Sequence, residues 1–406
     1  MNILILNDSF PPLSNAGAEN ISYMMAKEYY KMGHVVTVVT INKKLPKNKI
    51  AEYNEGGIRV IQIGARYDER FVAYISLYNF AVLRMIKKIL EASFDFAHLH
   101  NIHRYISYGV IGLLKKHAIK TILTVHDAMS VDYGKFTQGI NKSDLSPNPQ
   151  VTYEISAYKT FLEYGKRYNP FRNIIIRYYF RQLDKIIVVS KELELFLNKN
   201  RINNTTVIHN GIDQFTDNIS SSDLENFRQS HHILEKDKLV LWAGRLSEGK
   251  GASQVKKILS QLIKKDKNIK LIISGNDTFN DEVLKDNIIS TGWLNKKEMS
   301  MVYKVSMVTI VPSIYPDPLP TIILESMREG LPVVGTCFGG AKEMISTQTG
   351  FVVNPFNVDE FSKAILHILN NNDLKDNLSV ESKKRFVKYF TIDVSAKKYL
   401  ELVSTL

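Results

Sequence analysis

Residues 307–330 read MVTIVPSIYPDPLPTIILESMREG, and their punctuation decides the fold. The first five residues are a continuous β-branched and apolar run, as a strand covered on both faces requires. Thr321 to Glu329 then carry helical apolar spacing, closed by Gly330 with Pro332 beyond, which is a helix C-terminal stop. Pro320 fits at or just ahead of the first helical position, where a missing N–H costs nothing, and Thr321 is a candidate cap. Between strand and helix lies PSIYPDPLP, so Asp317 falls in the loop and Glu325 about one turn inside the helix. Their spacing is too wide for a carboxylate dyad. Two carboxylates several ångströms apart, with a helix N-terminus between them, suit vicinal sugar hydroxyls flanking phosphates.

The same strand–loop–helix unit repeats along the chain. Expected strands in the first half cover residues 2–7, 35–40, 59–63, 94–100, 121–126, 185–190 and 206–209. The pattern restarts at 239–243 and continues at 271–274, 288–290, 307–311, 333–335 and 351–353. Alternation of this kind predicts parallel sheets with helices on both faces, an α/β chain of two doubly wound, Rossmann-like domains facing across a cleft. The 406 residues suit two domains, joined through the polar stretch HNGIDQFTDNISSSD at 209–223. Residues 128–150, rich in Ser, Asn, Asp, Gly and Pro, are expected to form a long functional or mobile loop.

Bulk composition narrows the classes. Hydrophobic content of 44% and charged content of 23% are those of a globular protein. No apolar run approaches the ~20 residues of a membrane span. The start, MNILILNDSF, lacks a basic segment before its apolar run, so a buried first strand is expected there rather than a signal peptide. The single cysteine, Cys337, leaves no internal disulfide, and a cytoplasmic location is expected, with a peripheral position on the inner membrane face open.

Of the net charge of +12, residues 1–215 hold +10. The densest window is KTFLEYGKRYNPFRNIIIRYYFRQLDK, residues 159–185, from Lys159 to Lys185. Its basic residues are interleaved with aromatic and aliphatic ones, which fits an anionic membrane surface or an ordinary solvated helix face. No nucleic-acid module accompanies the charge, so nucleic acid is not the expected partner.

Special residues gather where strands end, the place where ligands bind in open α/β sheets. After the first strand, Gly17 opens a helix whose N-terminus favours an anion. No G-x-G-x-x-G is present, which disfavours a nicotinamide site. The strand at 121–126 ends in His126-Asp127. An H-x-H-x-x-H cluster at His98, His100 and His103 raises metal binding, but its spacing is not diagnostic, and packing of His98 and His103 with His100 near the cleft is the simpler reading. The strand at 239–243 runs into GRLSEGKG. There Gly244, Arg245, Lys250 and Gly251 offer a guanidinium fork, an ammonium and flexible backbone, suited to a diphosphate. Gly275-Asn276 and Gly292-Trp293-Leu294 end the next two strands, and Trp293 is a candidate for stacking on a base or for packing in the core.

Together these motifs resemble the retaining family 4 glycosyltransferases of GT-B fold, also called glycosyl transferases group 1. The resemblance covers nearly the whole chain and rests on the order of GAE (17–19), HD (126–127), HNGID (209–213), GRLSEGKG (244–251), SGN (274–276), GW (292–293), DPLPTIILE (317–325) and GGAKEMI (339–345). It implies an acceptor-binding domain at 1–215, a nucleotide-sugar domain at 216–385 and a C-terminal helix at 386–406 crossing back. It implies transfer of a sugar, with retention, from a UDP- or GDP-sugar to an acceptor hydroxyl. Polysaccharide, lipopolysaccharide or glycolipid assembly is the expected setting, with a glycan or lipid-linked acceptor. By resemblance His126 lies beside the anomeric carbon, Asp317 holds the donor sugar, Arg245 and Lys250 neutralise the diphosphate, and Glu325 binds the ribose. The resemblance also implies that Gly17 approaches the donor or acceptor and that Gly244, Gly275, Trp293, Leu294, Leu319, Pro320 and Thr321 line the donor. The family pattern is Glu-x7-Glu, whereas this chain has Asp317, and Pro320 stands where many relatives have Gly. No Asp-x-Asp occurs, in keeping with a metal-independent reaction. A nucleotide-sugar epimerase of the same fold, a non-catalytic partner subunit and a membrane-docking module without chemistry remain open at this stage.

Overall fold

The computed structural model describes residues 1–406 except 14–16, 134–135, 137–138, 215–217, 245 and 276–280. The described residues divide into two compact units. The first contains residues 1–135, 153–213 and 392–406, and the second contains 136–152 and 214–391.

The first unit is built on an eight-stranded sheet. Its strands are β1 (Asn2–Leu6), β2 (Val35–Asn42), β3 (Ile50–Glu55), β4 (Ile58–Gly64), β5 (Phe96–Leu99), β6 (Lys120–Val125), β7 (Lys185–Val188) and β8 (Thr205–Val207), in the order β3-β4-β2-β1-β5-β6-β7-β8. All neighbours run parallel except the edge pair β3–β4, an antiparallel hairpin. β3 is absent from the sequence reading. Its residues IAEYNE alternate between exposed and half-buried, so it lacks the apolar run that marks the central strands. On one face of the sheet, Met25, Ala26 and Tyr29 of the helix Gly17–Lys31 pack with Ile392, Ala396 and Tyr399 of the terminal helix Ile392–Ser404. That terminal helix is fastened by Ile392 N–H donating to the Ile212 carbonyl at 3.0 Å and Ser395 Oγ donating to the His209 carbonyl at 2.9 Å.

The second unit holds a six-stranded, wholly parallel sheet: β9 (Lys238–Ala243), β10 (Ile269–Ser274), β11 (Ile288–Gly292), β12 (Val308–Val311), β13 (Val333–Thr336) and β14 (Gly350–Val353). The order β11-β10-β9-β12-β13-β14 has the dinucleotide-fold arrangement, with the direction of winding reversing between β9 and β12. Two apolar clusters flank it. One includes Val255, Ile258 and Leu262 of the helix Ala252–Lys265 with Phe361, Ile365 and Ile368 of the helix Val358–Leu369. The other includes Val302 and Tyr303 of the helix Lys296–Val305.

Residues 139–151 have neither helix nor strand, apart from one antiparallel bridge between Ile140 and Val151. They are nonetheless packed. Ile140 and Val151 sit against Cys337, Phe338 and Phe356, and Asn354 Nδ2 donates to the carbonyls of Asp144 and Ser146, each at 2.8 Å.

Candidate active site

The residues of interest in the second unit lie where its winding reverses. The loop after β9 carries Gly244 and Lys250, and the loop after β12 carries residues 312–320. Lys250 Nζ donates to Asp317 Oδ2, and Tyr315 Oη donates to the same oxygen at 3.0 Å. The ammonium also lies 5.5 Å from the centre of the Tyr315 ring. Asp317 is only 8% exposed, so its charge depends on these partners. Burial pulls the Lys250 pKa down, but the Asp317 carboxylate and Tyr315 outweigh it, and the net shift is upward. The group is a fixed cation at neutral pH.

Glycines lock the loops that present this pair. Gly251 has φ +84°, and a Cβ there would lie 2.0 Å from the Pro312 carbonyl oxygen. Gly339 has φ +69°, and its Cβ would lie 2.2 Å from the Asp317 oxygen and 2.6 Å from the Asp317 nitrogen. Only residues without a side chain permit these approaches. Backbone bonds complete the lock: Ile314 N–H donates to the Gly249 carbonyl at 3.0 Å, and Gly340 N–H to the Asp317 carbonyl at 2.9 Å.

The helix Thr321–Glu329 begins directly after this loop. Pro320 occupies the N-cap position, with no side-chain cap, so Thr321 is the first helical residue and not the cap expected from sequence. Ile323 N–H turns back to the Pro320 carbonyl at 3.1 Å, while the amides of Thr321 and Ile322 precede the first intrahelical bonds. Gly330, at φ +77°, ends the helix. One turn in, Glu325 is half-buried and accepts from Tyr303 Oη at 2.6 Å. Burial raises its pKa, and the Tyr303 bond and Arg328 oppose that rise. Leu319 is buried beside the loop.

The neighbouring strand ends meet edge to edge. Gly244 N–H donates to the Ser274 carbonyl at 3.2 Å, and Gly275 N–H to the Gly292 carbonyl at 3.0 Å. Gly275 (φ +145°) comes so near that a Cβ would stand 3.0 Å from the Gly244 oxygen. Trp293 is 73% exposed, so it is not a core residue. Leu294 instead packs on the cluster around Val302 and Tyr303. Arg245 and Asn276 lie outside the described residues.

In the first unit the winding reverses between β1 and β5. The Asp8 carboxylate, buried after β1, accepts the backbone amides of Arg104, Tyr105 and Ile106 at 2.7, 2.9 and 2.7 Å, tying the loop after β5 to the loop after β1. His126 stands just beyond β6. Its Nε2 lies 2.9 Å from His100 Nδ1, with the rings nearly parallel. Burial lowers the His126 pKa to about 4, against an opposing effect of Asp127. Burial, reinforced by His98 and His126, holds His100 well below the ordinary value. Both rings are therefore neutral near pH 7. His126 Nδ1 and His100 Nε2 are buried without a partner among the described residues, and both residues line a cavity of about 10 Å3, room for one water. His98 Nδ1 bonds Tyr29 Oη at 3.2 Å and its Nε2 bonds Thr124 Oγ1 at 2.8 Å, so both nitrogens are committed to packing. His103 Nε2 is 3.8 Å from Asp127 Oδ2. Among the described residues no group of His, Cys, Asp and Glu is disposed to hold a metal ion. Gly17 is the first residue of its helix.

Tyr315, Tyr303 and Asp8 carry no role that the sequence assigns. Tyr315 stands two residues before Asp317, close enough to have been considered. Tyr303 is 22 residues before its partner and Asp8 is 96 to 98 residues before its donors, and no local pattern announces either.

The family model described as Glycosyltransferase Family 4 matches residues 15–214, and Glycosyl transferases group 1 matches residues 223–385. An uncharacterized glycosyltransferase of Methanocaldococcus jannaschii is 23% identical over 412 aligned positions, covering 98% of this chain and 96% of that protein. Among solved structures, sucrose-phosphate synthase from Thermosynechococcus elongatus superposes with a TM-score of 0.73 at 16% identity, covering 100% of this chain and 98% of the other. The HepE protein of Anabaena, in complex with UDP, gives 0.69 at 17% identity, with 100% of both chains covered. These likenesses show the GT-B fold. The chain belongs to the group 1, family 4 glycosyltransferases.

Proposed function

We propose that this glycosyltransferase moves a sugar, with retained anomeric configuration, from a UDP- or GDP-sugar to a hydroxyl of a glycan or lipid-linked acceptor in polysaccharide, lipopolysaccharide or glycolipid assembly. The observation that carries the reading is the Lys250–Asp317 pair at the reversal of winding in the second unit. That is where such sheets bind nucleotides. The UDP held by the Anabaena protein supports a nucleoside diphosphate donor.

In this reading Lys250, with Arg245, faces the diphosphate, and the helix start at Thr321 adds the positive end of the helix dipole. Asp317 receives sugar hydroxyls, Glu325 the ribose hydroxyls, and Trp293 stacks on the base. Backbone at Gly17, Gly244, Gly275, Leu294, Leu319 and Pro320 completes the donor lining. The bond from the anomeric carbon to the diphosphate oxygen breaks on the same face on which the acceptor oxygen attacks. The acceptor proton leaves with the diphosphate. Fixed cations stabilise the charge that develops there without a metal ion. His126, neutral, offers a hydrogen bond to the sugar. The interleaved basic and aromatic residues of 159–185 support a reading in which the acceptor is met at the inner face of a membrane.

A thermal-shift panel of nucleoside diphosphates and their sugars tests the reading. Stabilisation by at least one UDP- or GDP-compound is expected. Stabilisation by none would overturn the donor site.

A further inference from the structure

The first unit exposes aromatic and aliphatic side chains in two segments that are distant in sequence and adjacent in space. The helix Val72–Ile75 and the start of the helix Phe80–Ile89 present Phe71, Tyr74, Tyr78 and Phe80, the last 69% exposed. The helices Ala157–Tyr164 and Arg172–Phe180 present Leu162 and Phe171, each 65% exposed, with Ile174 and Tyr178. Tyr74 Oη donates to the Lys166 carbonyl at 3.2 Å, which joins the two segments. Tyr78 and Tyr179, the latter on the second of these helices, also pack against one common helix, Gly109–Lys116, where their rings stand 2.6 and 3.4 Å from the positions a Cβ would take at Gly109 and Gly112. Isolated exposed apolar residues are ordinary, but a joined group of this size is not.

Charge selects the occupant. Residues 66–88 carry five Lys and Arg against two acids, and residues 159–185 carry seven against two. Arg84, Lys87, Lys166 and Arg167 are exposed and form no ion pair among the described residues. Rings that enter an interface and cations that remain at its surface are what an anionic bilayer binds, whereas an apolar protein partner would disfavour the cations.

We infer that this face, made jointly by residues 70–88 and 158–181, docks the protein on an anionic lipid surface. The segment at 70–88 goes beyond the charge-rich window that the sequence singles out. The inference rests on the proposed membrane-borne acceptor only in giving it a surface, and acceptor-free vesicles let the two fail separately.

The test is flotation with vesicles of phosphatidylglycerol mixed with phosphatidylcholine, and with phosphatidylcholine alone. The protein is expected to float with the anionic vesicles only. Phe71→Ser with Phe80→Ser, and separately Lys166→Glu with Arg167→Glu, are expected to weaken that partition at least about tenfold. Val283→Ser, an exposed apolar residue of the other unit, is expected to leave it unchanged. Circular dichroism establishes that each variant is folded, and nucleotide-induced thermal shifts on the same preparations report the donor site independently. No flotation, equal flotation with neutral vesicles, or undiminished flotation of both double variants would overturn the inference. So would a dimer in solution that the aromatic variant dissociates while no form binds vesicles.

Discussion

Lys250 and Asp317 are 67 residues apart in the chain, yet their side chains pair where β9 and β12 part. The pair joins the loop of one strand to the loop of the next, and Tyr315 bonds the same carboxylate oxygen. Removing the ammonium therefore has two effects: loss of a charge from the proposed diphosphate site, and a buried carboxylate left with Tyr315 as its one side-chain partner among the described residues. Lys250→Met is expected to lower kcat by about 100- to 1000-fold while the protein remains folded. Nucleotide release under saturating donor, with a circular dichroism melt, measures both.

Gly339 makes a separate prediction. A Cβ at this position collides with the Asp317 backbone, and its φ of +69° is unfavourable for any side chain. Gly339→Ala is expected to destabilise the second unit by about 1–3 kcal/mol or more and to raise KM for donor by displacing Asp317. Gly56, with φ +58° and no atom within 4 Å of its Cβ position, is the control. Gly56→Ala bears only the cost of backbone strain. Equal urea midpoints for the two variants would contradict the close-approach argument.

The Asp8 carboxylate satisfies three amides of the loop after β5. Asp8→Ala would strand those amides in a buried site, at about 1–3 kcal/mol for each one left unpaired. Chemical denaturation should show a loss of several kcal/mol, and Asp8→Asn, which retains acceptor capacity on one oxygen, should lose less.

Acid should weaken the first unit through its histidines. Burial lowers His126 to about 4 and His98 to about 3, and holds His100 well below 6.5. A histidine with a depressed folded pKa binds its proton more readily in the unfolded chain. Stability is then full above the unfolded pKa near 6.5 and falls as pH drops from there toward the folded values. Each histidine adds a slope of about 1.4 kcal/mol per pH unit inside that window. Denaturant midpoints between pH 7 and pH 4 should show this decline, and His98→Gln should reduce its steepness.

Much of the scaffold can be read from the chain because the central strands are continuous apolar runs: 35–40, 239–243 and 333–335 stand out between polar loops. β3 cannot be read the same way. It is an edge strand, half-wet on both sides, and only the Gly56-Gly57 turn marks its hairpin. Lys250, Asp317 and Glu325 can be picked out as polar residues at strand ends and helix starts. That Lys250 pairs with Asp317, and that Tyr303 bonds Glu325, cannot be seen locally. Both pairings follow from strand order, which brings separate loops together. The commitment of His98 to Tyr29 and Thr124 is equally non-local, and it removes that ring from the H-x-H-x-x-H motif.

The most direct test of the donor site is calorimetric titration of the nucleoside diphosphate that stabilises the protein most. Wild type, Lys250→Met and Glu325→Ala would be compared under identical conditions. One site per chain is expected in the wild type, with affinity at least about tenfold weaker in each variant, as loss of a charge-assisted contact requires. Unchanged affinity in both variants would contradict the proposed donor site.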